Sequence, residues 1–148
     1  MNTEFPEFYV RLDTFSSAVW YRTKAGRYRL MGTRCAVCGE KFFPPRTGLI
    51  CPSCHAREME PYECAHSGEI VAVALDNMGF PAHGYGDLLP RVMVMVRLDD
   101  GVHLMSDLVD LGDPSEALVG ARVQMVLRKH RREDTGAWVY GPRFVMER

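Results

Sequence analysis

The sequence predicts a mainly β protein in three successive parts: a helix, a cysteine-rich ribbon and a five-stranded barrel. Three observations predict it. Two Cys-x-x-Cys pairs stand twelve residues apart. The stretch that holds them is rich in Pro, Gly and Cys and poor in periodic apolar pattern, so it needs a staple to fold. From about Tyr62 onward, strand-like segments follow one another with one short helical signal among them. A chain of 148 residues is one ordinary domain, or a small module joined to a compact one. We place the divisions at residues 1–30 (helical docking segment), 31–61 (ribbon) and 62–148 (barrel).

The first part reads as mostly helical. Asp13 or Thr14 is positioned to cap the helix by accepting backbone N–H bonds. Phe15, Ala18, Val19 and Arg22 fall at helical spacing and give a narrow apolar side. Gly26 is the expected stop. Trp20 and Tyr21 are large aromatics in a segment too short to make its own core. They dock on the rest of this chain or on a partner, or stack on nucleic acid.

The second part carries the metal chemistry. Cys35-Ala36-Val37-Cys38-Gly39 and Cys51-Pro52-Ser53-Cys54 are two knuckles, each a tight turn that aims two thiolates at one point. Gly39 relieves backbone crowding after the second sulfur. Cys35, Cys38, Cys51 and Cys54 together supply a complete tetrahedral shell for Zn²⁺. The connection is long enough for a short hairpin bearing Phe42, Phe43 and Pro44. This is the pattern of a rubredoxin-like four-cysteine zinc ribbon. Ligand type alone leaves iron open, but zinc is the expected ion. A closed shell has no open coordination position, so the site is structural and not catalytic. His55 follows a ligand directly and would point away from the metal. Cys64 and His66 open the next segment and, with His55, are spare ligand candidates, expected instead as a buried thiol and surface imidazoles.

In the third part, Glu69–Leu75 alternates loosely. Arg91–Leu98 is a nearly continuous apolar run, as expected for a strand covered on both faces. Asp99-Asp100-Gly101 is a tight turn, and Val102–Val109 returns as the partner strand. Asp113-Pro114 starts a short helix over Asp113–Leu118, with a capping Asp and Pro at the first helical position. Val123, Met125 and Leu127 point to one face of a further strand. Ala137–Tyr140 and Phe144–Met146 form the last, broken by Gly141-Pro142, where Pro implies an edge or a bulge. Met93, Met95, Met105 and Met125 are expected in the core. Five strands with a helix before the fourth fit the oligonucleotide/oligosaccharide-binding (OB) fold.

Composition excludes several classes. The chain is 47% apolar and 25% charged, the mix of a folded soluble protein. Eighteen Lys+Arg against nineteen Asp+Glu argue against a nucleic-acid binder held by bulk charge. A single-stranded nucleic-acid module remains the alternative, since ribbons and OB barrels both serve that role. No apolar run approaches the roughly 18–20 residues that span a bilayer. The N-terminus has neither the basic nor the apolar region of a signal peptide. A cytoplasmic protein is expected, with cysteines as thiols or metal ligands. There is no G-x-S-x-G, phosphate-binding Gly-rich loop or H-E-x-x-H. His103, Ser106 and Asp107 lie close in sequence, but a strand puts Ser106 on the opposite face, so no triad is expected. No catalytic residue is assigned. Two basic clusters, Arg22–Arg34 and Arg128–Arg132, are solvated faces, or contacts for an acidic partner surface or nucleotide phosphates. The long connection between Asn77 and Pro90 carries Phe80, His83 and Tyr85 and is a candidate binding loop.

The order of helix, four-cysteine ribbon and barrel resembles the acyl-CoA-associated zinc-ribbon/OB-fold family (domain of unknown function 35). The matching stretches are Tyr28-Arg29-Leu30-Met31-Gly32-Thr33-Arg34-Cys35, Phe42-Phe43-Pro44-Pro45-Arg46 before Cys51-Pro52-Ser53-Cys54, Ser67-Gly68-Glu69-Ile70, Pro90-Arg91-Val92, Val119-Gly120-Ala121-Arg122-Val123 and Tyr140-Gly141-Pro142-Arg143-Phe144-Val145. The resemblance implies a non-catalytic accessory subunit of a thiolase-superfamily complex. The subgroup it looks most like includes small subunits of phloroglucinol acetyltransferase and of aryl-succinyl-CoA thiolases. It further implies that a coenzyme A thioester lies at the shared interface, with the Phe80–Tyr85 loop over the acyl end.

Overall fold

The structure is a computed structural model that describes residues 17–78, 89–132 and 138–147. Its first element, α1 (Ser17–Arg29), runs straight through Gly26, the expected stop. The helix ends instead at Leu30, which takes a left-handed backbone (φ 48°). Such a conformation costs a residue with a Cβ about 1–2 kcal/mol. Leu30 adopts it because its side chain is wholly buried in the core and its carbonyl accepts from Cys64 N at 3.1 Å. Tertiary packing therefore sets this terminus, not local propensity. Trp20 docks within its own helix. The Arg27 guanidinium stacks 3.6 Å from its ring and donates to its carbonyl at 2.6 Å. Tyr21 stays exposed. The predicted caps Asp13 and Thr14, and Phe15, lie outside the described residues.

The ribbon is a three-stranded antiparallel sheet. Its strands are β1 (Met31–Cys35), β2 (Lys41–Phe42) and β3 (Met59–Glu63), in the order β2-β1-β3. β3 is not evident from the sequence, because Pro61 sits in its middle. The sheet order explains the tolerance: β3 is an edge, where a residue without an N–H costs no ladder bond.

Five strands close the barrel: β4 (Ser67–Asp76), β5 (Arg91–Leu98), β6 (His103–Leu108), β7 (Arg122–Arg132) and β8 (Trp138–Met146), in the order β4-β5-β6-β8-β7. Val92, Val94, Val96 and Leu98 alternate inward and meet Ile70, Leu108, Val123 and Phe144 in the core. The outward residues of β5 differ from expectation. Met93 and Met95 are half-buried rather than core, Arg97 is exposed, and Met105 on β6 is 66% exposed. Of the four methionines, Met125 alone packs on the core, and it does so from a half-buried position. The continuous apolar run is thus a one-faced strand with thioethers on its outer side. The expected helix over Asp113–Leu118 is a single 3-10 turn, Pro114–Glu116. Its cap is as read: Asp113 accepts from Ser115 N, and Glu116 accepts from Asp113 N, each at 2.8 Å. β8 is continuous across Gly141-Pro142, against the expected break. Pro142 pairs with Leu127 on β7, near a bulge at Lys129/Arg131. Its other side is tolerant because the β6 ladder consists of the single pair Leu108↔Phe144.

That thin seam is reinforced by a buried ion cluster. Asp107 on β6 accepts from Arg91 Nε and Nη2 at 3.1 and 2.9 Å and pairs with Arg143 Nη1 at 2.7 Å. Ser106 Oγ donates to the Pro142 carbonyl at 2.6 Å. His103 is exposed, so the three residues near one another in sequence share no site. The Asp99-Asp100-Gly101 turn forms as read, with Gly101 at φ 90°, and it also joins the two domains. Asp100 accepts from Ala65 N at 2.9 Å, and Lys41 Nζ on β2 donates to its carbonyl at 3.3 Å. No helix among the described residues is long and apolar enough to cross a membrane.

Candidate metal centre

Each Cys-x-x-Cys pair is built by the same backbone turn. In the first, Gly39 N donates to Cys35 O at 3.0 Å and Cys35 N donates to Glu40 O at 2.8 Å. In the second, His55 N donates to Cys51 O at 2.9 Å and Cys51 N donates to Ala56 O at 2.8 Å. The residue after the second sulfur turns left-handed in both: Gly39 at φ 76° and His55 at φ 61°. Gly does so freely, whereas His carries a steric cost. His55 therefore serves the turn and is exposed.

The turns bring Cys35, Cys38, Cys51 and Cys54 together, with all four sulfurs within 4.8 Å of one another. The Cys35–Cys54 and Cys38–Cys51 separations are 3.5 and 3.6 Å. Four sulfurs about 2.3 Å from a zinc ion in a tetrahedron lie about 3.8 Å apart, so the donor set fits that ion without rearrangement. Cys35 and Cys51 are fully buried beneath the ribbon, while Cys38 is exposed and Cys54 half-exposed. The Glu40 carboxylate accepts from Ser53 Oγ and lies 4.0 Å from Cys51 Sγ, tying the hairpin to the second knuckle. Glu40 has no signal in the sequence beyond its place after Gly39.

Ionisation of the four thiols is divided. Backbone N–H bonds from Cys38 and Val37 outweigh desolvation and bring Cys35 down to about 7. The Glu40 N–H favours the Cys38 thiolate, but desolvation and the neighbouring sulfurs outweigh it and push Cys38 up to about 12. Cys54 is raised as well: the Ala56 backbone bond lowers it, but desolvation and the Cys35 sulfur overcome that bond. A divalent cation supplies the charge that lets all four ionise together.

The other residues singled out by sequence lie elsewhere. Cys64 is buried at the domain joint, where desolvation, then the Asp100 charge, push it up to about 11, so it stays a thiol. His66 is exposed, with Nε2 3.4 Å from the Arg29 carbonyl and 3.5 Å from the Glu63 carboxylate. Arg128 pairs with Asp110 at 2.8 Å, and Lys129 stands 4.7 Å over the Trp138 ring. Phe80, His83 and Tyr85 lie outside the described residues. The Arg91–Asp107–Arg143 cluster escapes sequence reasoning because its members come from three strands, and no local spacing links them.

The comparisons agree on both halves of the chain. Residues 22–60 match the model of the ChsH2 rubredoxin-like zinc ribbon domain, and residues 62–128 match the ChsH2 C-terminal OB-fold domain. A DUF35 domain-containing scaffold protein of Methanothermobacter thermautotrophicus is 36% identical over 120 residues, covering 80% of this chain and 86% of that protein. A scaffold protein of the same description from Methanocaldococcus jannaschii is 28% identical over 138 residues, covering 92% and 94%. Among solved structures, the Ltp2-ChsH2(DUF35) aldolase contains a chain of similar fold. The TM-score is 0.65 at 24% identity, over 90% of this chain and 98% of that one.

Proposed function

The chain belongs to the DUF35 family, a zinc ribbon followed by an OB-fold barrel, and on that premise we propose that it is a non-catalytic scaffold subunit of an acyl-CoA-processing complex. The observation that carries this reading is the match to a scaffold protein along 86% of that protein's length. The described residues form a helix, a ribbon and a barrel. Cys35, Cys38, Cys51 and Cys54 hold one structural Zn²⁺, whose closed thiolate shell fixes the ribbon and leaves no position for substrate. The Lys41–Asp100 and Ala65–Asp100 bonds transmit that rigidity to the barrel. α1 presents Val19 and Tyr21, 53% and 81% exposed, to a partner.

The partner is a thiolase-superfamily enzyme that carries the nucleophile and the acid/base group. An acyl-CoA or acylated aromatic substrate reaches this chain through that partner. We assign Phe80, His83 and Tyr85 to the acyl end of that channel. Support comes from the Ltp2-ChsH2(DUF35) aldolase, whose description places a chain of this fold with Ltp2.

The test is co-purification from the native source, followed by identification of the bound proteins and an acyl-CoA cleavage assay with and without this chain. A thiolase-like companion that is active with its scaffold is expected. Cleavage by this chain alone, or its recovery with nucleic acid in place of an enzyme, would overturn the reading.

A further inference from the structure

Between α1 and the ribbon lies a groove of about 400 Å³ whose lining includes Gly26, Phe43, Pro44 and Met59, with Arg22 and Arg27 from the helix among them. That volume is in the range of small-molecule sites, and the mix of apolar floor and a few charged groups is their usual chemistry. The cations around it differ from most of those elsewhere. Seven other arginines (29, 34, 91, 97, 122, 128 and 143) each meet a carboxylate. Arg22 and Arg27 meet none among the described residues, and Arg27 donates instead to the Trp20 carbonyl. The buried Nε–H of Arg27 has no hydrogen-bond partner among the described residues. Leaving such a donor unsatisfied costs about 1–3 kcal/mol. Residues 17–61 as a whole hold eight Lys or Arg against three Glu, in a chain whose net charge is −1.

Gly26 adds an independent observation. Gly within a helix costs about 1 kcal/mol relative to Ala. No steric need imposes it here. A Cβ at Gly26 would meet only the Met31 carbonyl at 3.5 Å and Phe43 Cε2 at 3.9 Å, which are ordinary contacts. What the missing side chain preserves is open space against Phe43, inside the groove.

We infer that the helix–ribbon groove binds an amphiphilic anion, an acyl or alkyl chain ending in a phosphate or carboxylate. The chain lies along Gly26, Phe43 and Met59, and the head meets Arg22 and Arg27. This site is separate from the closed thiolate shell and does not depend on the scaffold reading, because it is tested on the chain alone.

The test is calorimetric titration of the zinc-loaded full chain with dodecyl phosphate below its micelle concentration, with dodecanoate and dodecanol as the other arms. One-to-one binding is expected, with dodecyl phosphate at least about tenfold tighter than dodecanol, the value of one charge-assisted hydrogen bond. Dodecanoate against dodecyl phosphate identifies the preferred head group. Arg22→Glu, at an exposed helix position, should weaken dodecyl phosphate about tenfold and leave dodecanol unchanged. Gly26→Leu should abolish binding of both while zinc content and circular dichroism stay as in the parent. Absence of saturable binding, equal affinity for dodecanol and dodecyl phosphate, or affinity unmoved by both substitutions would overturn the site.

Discussion

The ribbon and the barrel hold together by opposite means. The barrel buries a continuous set of aliphatic side chains around Phe144, and its strands alternate in the way a hydrophobic core requires. The ribbon has three short strands, and its most buried side chains in the hairpin region are Cys35 and Cys51. One is stabilised by apolar area, the other by a ligand shell. A domain of the second kind owes its folding free energy to the metal. The two therefore answer to different perturbations, and Asp100 at the joint is where one would feel the other.

Metal removal separates them most sharply. Structural zinc in isolated fingers is worth about 10–16 kcal/mol at neutral pH. A strong chelator, or Cys35→Ser, should strip protection from the amides of β1 and β2 in hydrogen exchange while β5 and β7 keep theirs. Simultaneous loss in both domains would show one cooperative unit. Lowering the pH should mimic the chelator, because protons compete for thiols such as Cys38, which is pushed up to about 12 without metal. Zinc loading measured from about pH 7.5 down to about pH 5 should fall with each step.

The reciprocal perturbation strikes the barrel. Phe144 is fully buried, and truncation of such a ring costs about 3–5 kcal/mol. Phe144→Ala should lower the stability read from urea unfolding by that amount and leave zinc content unchanged. Asp107→Asn should cost a similar amount, about 3–5 kcal/mol, because it leaves the buried Arg143 and Arg91 guanidiniums without their shared carboxylate. If Asp107→Asn is silent, the β6–β8 seam is held by its backbone contacts alone.

The same division governs what the sequence disclosed. Cysteine knuckles are local: two short motifs specify four ligands, and their turn needs one left-handed residue each. The barrel strands were legible from runs such as Arg91–Leu98, and Asp113-Pro114 announced its cap. Most of the failures are non-local. Gly26 reads as a helix stop until the burial of Leu30 extends the helix past it. Pro61 hides β3 until the sheet order makes that strand an edge. Met105 reads as core, yet its strand turns it outward. The Asp107 clasp joins residues 16 and 36 positions apart, and no periodicity encodes such a pair.

Between the two domains, Cys64 gives a smaller and pH-dependent effect. Its thiol is raised to about 11 in the fold, against about 8.5 to 9 in the unfolded chain. A raised acid favours folding while it stays protonated, and it loses that advantage by ionising. Relative to the unfolded thiol its contribution, about 3 kcal/mol, is complete below about pH 8.5 and lost as pH climbs toward about 11. Urea midpoints of the zinc-loaded protein should therefore fall between about pH 8.5 and about pH 10.5 by more in the parent than in Cys64→Ala. Equal slopes would mean that the Cys64 thiol already reaches solvent in the folded chain.

The finest comparison lies inside the ribbon, between two turns that differ by one residue. Gly39 and His55 occupy equivalent left-handed positions, and nothing lies within 4 Å of a Cβ at Gly39. The cost of a side chain there is thus conformational alone. Gly39→Ala should destabilise the zinc-loaded ribbon by about 1 kcal/mol, whereas His55→Gly should stabilise it by up to about 1 kcal/mol, partly offset by the unfolded-state entropy of glycine. Competition with a chromophoric chelator reads both as opposite shifts in zinc affinity. If His55→Gly weakens the site, the imidazole does more than turn the chain, and the apparent equivalence of the knuckles ends at the backbone.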